Sequence, residues 1–457
     1  MFPCLETPSD RVALRVGERT LTQRELAAAC AAHVVRLAAT GVPAGARVGV
    51  WTQPALETLV AFVAHAAAGY VSVPLDPKLG ERELAHVVAD AAPRACVAAD
   101  PSVRAGTQPI VVEPDGDARL VARPVRGEPA LVLYTSGTTG APKGAVLTDA
   151  NIASNLDALA RAWAWTDADT VVHALPMFHV HGLVLGLFGS VRRGGALTWV
   201  PKFSPDAVAA ALAPLGRSGV LFAVPTMYHR LCEASPEVHA ALRGARLLVS
   251  GSAPLSAREH RRVEALTGQR PIERYGLTET LIDCSTRHDG DRRAGVVGPP
   301  LDGVELRLAD DGEIWVRGPN VCAGYLNRTE PLVDADGWFH TGDVGELSDD
   351  GYVRIVGRRS TDIIKCGGFK VGAGEVEAAL LEFPGIAEAA VIGAPDADLG
   401  ERIVAFVVVT AAIDAAAAID HVAAQLSPHK RPREVRVVDA LPRNAMGKIQ
   451  KTRLRDP

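Results

Sequence analysis

Apolar positions recur with two different spacings over the first 300 residues, and the spacings predict two kinds of element. Apolar residues every three or four positions indicate amphipathic helices, and short apolar runs between them indicate buried strands. Helices are predicted at 22–41, 55–68, 81–91, 152–163, 182–191, 226–232 and 256–268, and strands at 47–51, 96–99, 170–175, 196–200, 220–223 and 247–250. Alternation at this pace favours mostly parallel sheets covered on both faces, in the doubly wound style.

Two capping boxes predict the N-terminal ends of helices. In such a box a hydroxyl and a carboxylate accept hydrogen bonds from N–H groups of the first turn. The two boxes are Thr22 with Glu25 and Ser256 with Glu259.

The spacing changes after about residue 301. Short alternating strands at 304–308, 313–317 and 352–356, separated by Asp-Gly turns, predict a small antiparallel β unit over 301–357. Beyond it, helices at 375–382 and 419–426 and strands at 388–392, 403–409 and 435–438 predict a further α+β unit. The boundary is predicted at 357–360.

Composition narrows the class of protein. The 457 residues are 48% hydrophobic and 22% charged with a net charge of −5, so we expect a globular protein without a nucleic-acid partner. The seven cysteines show no Cys-x-x-Cys spacing, and neither a zinc site nor a disulfide framework is expected. Without a basic N-terminal segment followed by an apolar run, or an apolar stretch of about 18 residues, we expect a soluble cytoplasmic protein that does not bind membranes.

The stretch from Tyr134 to Thr148, YTSGTTGAPKGAVLT, follows an apolar run and is predicted to be a polar loop. Glycines let the main chain approach a phosphate, and backbone N–H groups with hydroxyls and one lysine suit its charge. The spacing differs from a Walker motif, because two residues separate Gly137 from Gly140 and Gly144 follows Lys143. The alternative is a surface turn.

This loop closely resembles the phosphate-loop signature of the adenylate-forming enzymes, a family that includes acyl-CoA synthetases, luciferases and peptide-synthetase adenylation domains. Further motifs occur in the family's order across nearly the whole chain: GYVSVPLDP at Gly69, GSAPLS at Gly251, YGLTET at Tyr275, TGD at Thr341, GR at Gly357 and PRNAMGK at Pro442. The resemblance implies an ATP-dependent acid–thiol ligase that forms an acyl-adenylate, releases pyrophosphate and then transfers the acyl group to coenzyme A, with Mg²⁺ assisting.

The resemblance also implies the architecture. A large N-terminal domain, 1–357, holds two doubly wound αβ subdomains and a small β-barrel-like unit, a hinge follows at 358–360, and a small mobile α+β domain covers 361–457.

Site residues follow motif by motif from the resemblance. The resemblance implies that Tyr275 offers a ring face to adenine, that Thr278 lies beside the α-phosphate and that Glu279 binds Mg²⁺. It likewise implies that Asp343 and Arg358 bind the ribose hydroxyls. The remaining nucleotide contacts are expected from Thr135, Ser136, Gly137, Thr138, Thr139, Gly140, Lys143, Gly251, Ser252, Ala253 and Gly276. Taken without the motifs, Thr278 and Glu279 fit a helix cap and Asp343 fits a turn.

The C-terminal unit carries a second set of expected residues. Lys448 matches the family's adenylation lysine, although a lysine near a chain end is more often solvated surface. Gly367, Gly368 and Lys370 are expected to line the thiol tunnel after rotation about the hinge. The pivot position usually holds Asp or Lys in this family, whereas this chain has Ser360, and a hinge needs only backbone freedom.

Arg274 indicates the acid. Its position is often glycine in relatives that accept long or aromatic acids, and a buried guanidinium needs an anionic partner. A second carboxylate on the substrate would supply it, with His181 and Ser252 completing the site. Together with the stretches FHVHGL and ERYGLTET, Arg274 makes the chain resemble the branch of the family that activates malonate and methylmalonate.

The structural alternative pairs Arg274 with a protein acid such as Glu273 or Asp283. The functional alternatives are a ligase for a short or aromatic monoacid, a non-catalytic nucleotide-binding protein, and a domain that acylates a carrier protein in trans.

Overall fold

A computed structural model describes residues 1–104, 106–110, 120, 125–135, 142–359, 362–367, 369–443 and 449–455, with only the backbone of Lys370. In chain order the strands are β1 (Val12–Val16), β2 (Arg19–Thr22), β3 (Arg47–Trp51), β4 (Val71–Leu75), β5 (Ala95–Ala98), β6 (Gln108–Pro109), β7 (Pro129–Thr135), β8 (Lys143–Thr148), β9 (Thr170–His173), β10 (Ala196–Trp199), β11 (Gly219–Ala223), β12 (Leu247–Ser250), β13 (Ile272–Tyr275), β14 (Cys284–Ser285), β15 (Glu305–Leu308), β16 (Glu313–Arg317), β17 (Phe339–Leu347), β18 (Val353–Arg358), β19 (Ile363–Cys366), β20 (Phe369–Gly372), β21 (Ile386–Asp396), β22 (Gly400–Val409) and β23 (Glu434–Val437). The α-helices are α1 (Gln23–Ala39), α2 (Leu56–Ala68), α3 (Glu81–Ala91), α4 (Asp149–Trp163), α5 (Gly189–Arg193), α6 (Pro205–Leu212), α7 (Pro225–Cys232), α8 (Pro236–Gly244), α9 (Ala257–Thr267), α10 (Ala373–Leu381) and α11 (Ala415–Gln425).

Two large mixed sheets organise the first 285 residues and confirm the predicted α/β class. One has the strand order β6-β5-β3-β4-β7-β8, and the other β14-β13-β12-β11-β9-β10-β1-β2. Their central strands are parallel, while β7–β8, β13–β14 and β1–β2 are antiparallel edges. Parallel strands place all their carboxyl ends at one edge of the sheet, where ligands of such folds bind.

The two predicted capping boxes have different outcomes. Thr22 accepts the Glu25 N–H at 3.2 Å and the Glu25 carboxylate accepts the Thr22 N–H at 2.7 Å, which confirms the first box. Ser256 caps α9 through the Glu259 N–H at 3.1 Å, but the Glu259 carboxylate lies 3.4 Å from His229 Nδ1 instead of returning to the cap. The imidazole of His229 thus takes the place of the second half of that box.

The predicted phosphate loop is shorter than the sequence indicated. Residues 129–135 and 143–148 form the antiparallel pair β7–β8, with Thr135 opposite Lys143, so Lys143 lies on a strand. Ala145 and Leu147, which lie on one face of β8 because side chains alternate along a strand, are both buried. Residues 136–141, between the two strands, lie outside the described part of the chain.

The apolar helix predicted at 182–191 begins as a π-helix, His181–Phe188, and continues as α5. A Cβ on Gly182 would lie 2.3 Å from the Pro176 carbonyl oxygen, and one on Gly186 would lie 2.3 Å from the His173 ring. These glycines let the helix pack against the chain that follows β9. π-helical turns are often found at functional sites.

The β unit is a four-stranded antiparallel sheet with the order β15-β16-β17-β18. The sequence indicated three of its strands and missed β17, whose Thr-Gly-Asp-Val-Gly stretch is typical of turns. Asp343 therefore lies on a strand, opposite Arg358.

Residues after Asp362 form a five-stranded sheet, β20-β19-β22-β21 with β23 beside β22, flanked by α10 and α11. Their apolar side chains make a separate hydrophobic cluster drawn only from residues between Ile364 and Val435.

All seven cysteine thiols are free. Within the described part of the chain, every helix is too short or too polar to cross a bilayer.

Candidate active site

The predicted acid-binding and nucleotide-binding residues meet where β12 and β13 end. These strands are parallel neighbours, with Val249 opposite Ile272 and Ser250 opposite Glu273. Gly251, Ser252 and Ala253 follow β12, while Arg274 and Tyr275 are the last residues of β13. The two strand ends thus bring the two motifs side by side.

Arg274 is buried, with 7% of its surface exposed. Its Nη2 donates to Ser252 Oγ at 3.4 Å, and its Nε has no acceptor among the described residues. The guanidinium lies against Gly251, where a Cβ would be 2.5 Å from Arg274 Cζ. Burial lowers the pKa of Arg274 to about 9, which leaves it charged at neutral pH.

The protein acids considered as partners for Arg274 are engaged elsewhere. Glu273 receives backbone hydrogen bonds from Leu255 and Gly295, and burial raises its pKa to about 8. Asp283 accepts from Thr280 Oγ1 at 2.6 Å and from Asn320 Nδ2 at 2.8 Å. Among the described residues Arg274 makes no ion pair, so the structural alternative is wrong for both acids. A buried cation without an anion is costly and favours an anionic ligand.

Ser252 joins Arg274 to His181. His181 Nδ1 lies 3.3 Å from Ser252 Oγ. Burial, Arg274, His173 and His179 together lower the pKa of His181 well below its ordinary value, so the imidazole is neutral at pH 7 and can donate one N–H. Ser252 is exposed and has a φ of +70°, a conformation rare for non-glycine residues and common at ligand sites.

Gly251 makes room for the guanidinium, and this predicts the effect of adding a methyl group. We expect Gly251→Ala to displace Arg274 and lower kcat/KM for the acid by about 100-fold, because a misplacement of about 1 Å can cost that much. Steady-state kinetics with varied acid measures this change.

A double variant provides the control for Gly251→Ala. In an Arg274→Met background the added methyl should have little further effect, because the two changes act on one interaction. Equal losses in the two backgrounds would contradict the packing explanation.

The predicted ribose-binding residues are held together. Asp343 is buried, its Oδ2 accepts from Tyr275 Oη at 2.7 Å, and its Oδ1 is 2.8 Å from Arg358 Nε. Each carboxylate oxygen has two lone pairs and can accept more than one hydrogen bond. The pairing fixes the carboxylate beside the Tyr275 ring. Gly276 lets the chain pass close to Leu281, because a Cβ there would lie 1.9 Å from the Leu281 carbonyl oxygen.

Tyr325 was not predicted from the sequence, and it connects two predicted sites. Its Oη donates to Glu279 Oε1 at 2.7 Å, and Lys143 Nζ lies 5.0 Å from its ring centroid. A bridge between Ala145 and Tyr325 attaches this segment to β8. Glu279, the predicted metal ligand, therefore lies near the strand that leaves the predicted phosphate loop. No motif identified earlier includes Tyr325, so sequence reasoning had no signal for it.

The remaining predicted residues are placed as follows. Thr278 and Thr135 are half-buried, Ala253 is exposed, and Gly367 has a φ of +57°. Ser136, Gly137, Thr138, Thr139, Gly140, Ser360, Gly368 and Lys448 lie outside the described residues, as does the side chain of Lys370.

Comparison with known proteins identifies the family of this chain. Residues 4–326 match the family described as AMP-binding enzyme, and residues 375–448 match the AMP-binding enzyme C-terminal domain. A malonate–CoA ligase from Arabidopsis thaliana is 34% identical over 90% of this chain and 78% of its own.

Three solved structures are similar over nearly their full length. A malonyl-CoA ligase in a ternary product complex with methylmalonyl-CoA and AMP is 51% identical, with a TM-score of 0.73 over 97% of this chain and 100% of that one. ATP-bound MatB from Rhodopseudomonas palustris is 37% identical, with a TM-score of 0.89 over 100% and 99%. An o-succinylbenzoate coenzyme A synthetase from Bacillus subtilis, in complex with ATP and magnesium ion, is 30% identical, with a TM-score of 0.86 over 98% and 97%. The chain therefore belongs to the AMP-binding enzyme family, within the adenylate-forming acyl-CoA ligases.

Proposed function

We propose that the protein is an ATP-dependent malonate:CoA ligase that also accepts methylmalonate. The observation that carries the proposal is Arg274, a buried guanidinium without a carboxylate partner among the described residues, beside the predicted nucleotide site. The distal carboxylate of malonate would be its partner, held by a charge-assisted and bidentate contact. Ser252 and neutral His181 supply further hydrogen bonds.

The position of the proposed acid-binding residues, Arg274, Ser252 and His181, favours a short acid. Ser252 contacts Arg274 and belongs to the same three-residue loop, Gly251–Ala253, that is expected to face adenine. The distal anion and the nucleotide therefore share one loop. The names of the malonate-activating relatives support the same substrate class.

In the first half-reaction, the proximal carboxylate attacks the α-phosphorus of ATP. A P–O bond forms, the bond to the β-phosphate oxygen breaks, and malonyl-AMP and pyrophosphate result. We infer that residues 136–140 and Lys143 hold the leaving pyrophosphate, Thr278 lies at the α-phosphate, and Lys448 bridges the two anions that must approach. Asp343, Arg358 and Tyr275 hold the nucleoside.

Glu279 is the residue that we propose holds Mg²⁺. Its carboxylate is half-buried near the base of the phosphate loop, and one oxygen is oriented by Tyr325, which suits a cation that prefers oxygen ligands. Bound magnesium would neutralise phosphate charge. A solved relative contains ATP and this ion together.

In the second half-reaction, the thiolate sulfur of coenzyme A attacks the acyl carbon, an S–C bond forms, the C–O bond of the mixed anhydride breaks, and AMP leaves with the bridging oxygen. We propose that 361–457 rotates about 358–360 to bring Gly367, Gly368 and Lys370 to the thiol. The described arrangement joins the two parts through Arg258 Nη1 to the Leu381 carbonyl at 2.8 Å and Arg261 to Glu382 at 3.1 Å. The TM-score is larger with the ATP-bound structure than with the product complex, although the product complex has the higher sequence identity. This difference supports assigning the described arrangement to the first half-reaction.

The alternatives make different demands on the site. A monoacid ligase would leave Arg274 buried and unpaired with substrate bound. A non-catalytic nucleotide-binding protein has no need of Lys448. A carrier protein in trans could replace coenzyme A. Comparing coenzyme A with a carrier-protein thiol as the acyl acceptor distinguishes that alternative.

Product analysis tests the proposal. Incubating the protein with ATP, Mg²⁺, coenzyme A and malonate should give malonyl-CoA and AMP in equal amounts, identified by mass spectrometry, with methylmalonyl-CoA from methylmalonate. AMP formation without malonyl-CoA would contradict the assignment of coenzyme A as the acyl acceptor. The absence of AMP formation would contradict the assignment of malonate as the acid.

A further inference from the structure

Lys451 is a half-buried lysine three residues after Lys448. Its side chain is 14% exposed, and Nζ lies 2.7 Å from Asp362 Oδ1 and 2.7 Å from Glu377 Oε1. Burial alone would lower the pKa of Lys451, but the two carboxylates outweigh it and raise the pKa above its ordinary value. A solvated lysine in a terminal segment would have neither partner.

Asp362, the first of these partners, is part of the turn that follows β18. Its N–H donates to the Arg358 carbonyl at 2.7 Å, and its Oδ2 accepts from the Arg358 N–H at 3.0 Å. Its carbonyl accepts from the Ala373 N–H at 2.7 Å, which ties the turn to α10. Since Arg358 also pairs with Asp343, contacts run without a break from the predicted ribose site through the hinge region to Lys451.

The residues that flank 444–448 on its two sides are bound to each other as well. Arg443 and Ile449 form a β-bridge, and the Gln450 N–H donates to the Pro442 carbonyl at 2.8 Å. Arg443 Nη2 donates to Glu388 Oε2 at 2.8 Å, which holds one end on β21. Lys451 holds the other end on Asp362 and Glu377. The backbone on both sides of the segment that includes Lys448 is thus fixed to the small domain.

We propose that Lys451 is a positioning residue for adenylation, which ties the segment carrying Lys448 to Asp362 so that this segment moves with the hinge. The proposal rests on the function proposed above. Lysine is a point charge on a flexible stem, so Lys448 needs a fixed backbone to reach the α-phosphate, and an error of about 1 Å can cost about 100-fold in rate.

Half-reactions distinguish positioning from general support of the domain. In Lys451→Met, malonate-dependent ATP–pyrophosphate exchange should fall by about 100-fold, while coenzyme A should still consume supplied malonyl-AMP at the wild-type rate. Lys451→Arg keeps the charge and should recover most of the exchange. Arg436→Met removes another ion pair of the same domain, with Glu434 at 2.6 Å, and should leave both half-reactions unchanged.

Amide hydrogen exchange provides a measurement that does not depend on the acid. Peptides covering 438–455 should exchange faster in Lys451→Met, and those covering α11 and β22 should not. Unchanged protection of 438–455, or an equal fall in both half-reactions, would overturn the proposal. A wild-type protein without malonate-dependent exchange would contradict the proposed function instead.

A second pair of variants covers the case in which Lys451→Met does not fold. Asp362→Asn removes the charged carboxylate that holds Lys451 to the turn after β18, whereas Glu377→Gln leaves that carboxylate in place. We expect a selective loss of adenylation in the first and near-normal adenylation in the second. Equal effects of the two would overturn the proposal.

Discussion

Replacing Arg274 by methionine should lower kcat/KM for malonate by about 30-fold to several thousand-fold, because losing one partner of a buried charge pair costs roughly 2–5 kcal/mol. The same change should leave the unliganded protein at least as stable as the wild type, since the described residues give Arg274 no anionic partner and a buried unpaired charge opposes folding. Steady-state kinetics and thermal unfolding measure the two effects.

Arg274→Lys and Arg274→Gly are the matched variants. Lysine keeps the charge and loses the planar fork, so malonate activity should be intermediate, while glycine should abolish it and leave room for a monoacid. Unchanged malonate turnover in Arg274→Gly would refute the proposed contact between Arg274 and the distal carboxylate of malonate. A marked loss of stability in Arg274→Met would indicate that the guanidinium has a structural partner after all.

Lys448→Ala should lower the rate of malonyl-AMP formation by about 100- to 1,000-fold, the usual cost of removing one group that stabilises transition-state charge. Thiolysis of supplied malonyl-AMP should continue at the wild-type rate, because we propose that Lys448 moves away with its domain before that half-reaction. ATP–pyrophosphate exchange and release of AMP from the supplied adenylate report the two steps separately.

Arg453→Ala is the control for Lys448→Ala. It removes an exposed cation of the same segment and should change neither step. Equal loss of both half-reactions in Lys448→Ala would contradict the assignment of this lysine.

Much of the fold follows from local patterns in the sequence. Predicted helices at 81–91 and 226–232 agree with α3 and α7 within a residue, because an amphipathic stripe and its end signals determine such elements. β17 was missed because its glycines and aspartate favour turns locally, and only its neighbours in the sheet make it a strand. The π-helix depends on close packing of glycines against His173 and Pro176, which no local pattern contains.

The candidate site was predictable to a similar degree. Arg274, Ser252 and His181 were chosen for one pocket, and the structure brings the three side chains together. The pairing of Asp343 with Arg358 and the contact of Tyr325 with Glu279 were not foreseen, because they join residues from different elements. The network from Asp343 to Lys451 likewise becomes visible only when the hinge region and the C-terminal segment are placed in space.

A screen of pyrophosphate release by the wild-type protein tests the central claim most directly. Acetate, malonate, methylmalonate, succinate, benzoate and octanoate are compared with ATP, Mg²⁺ and coenzyme A present. Malonate should give the highest kcat/KM, followed by methylmalonate, with the monoacids far below. A monoacid ranking above malonate would contradict the proposed function.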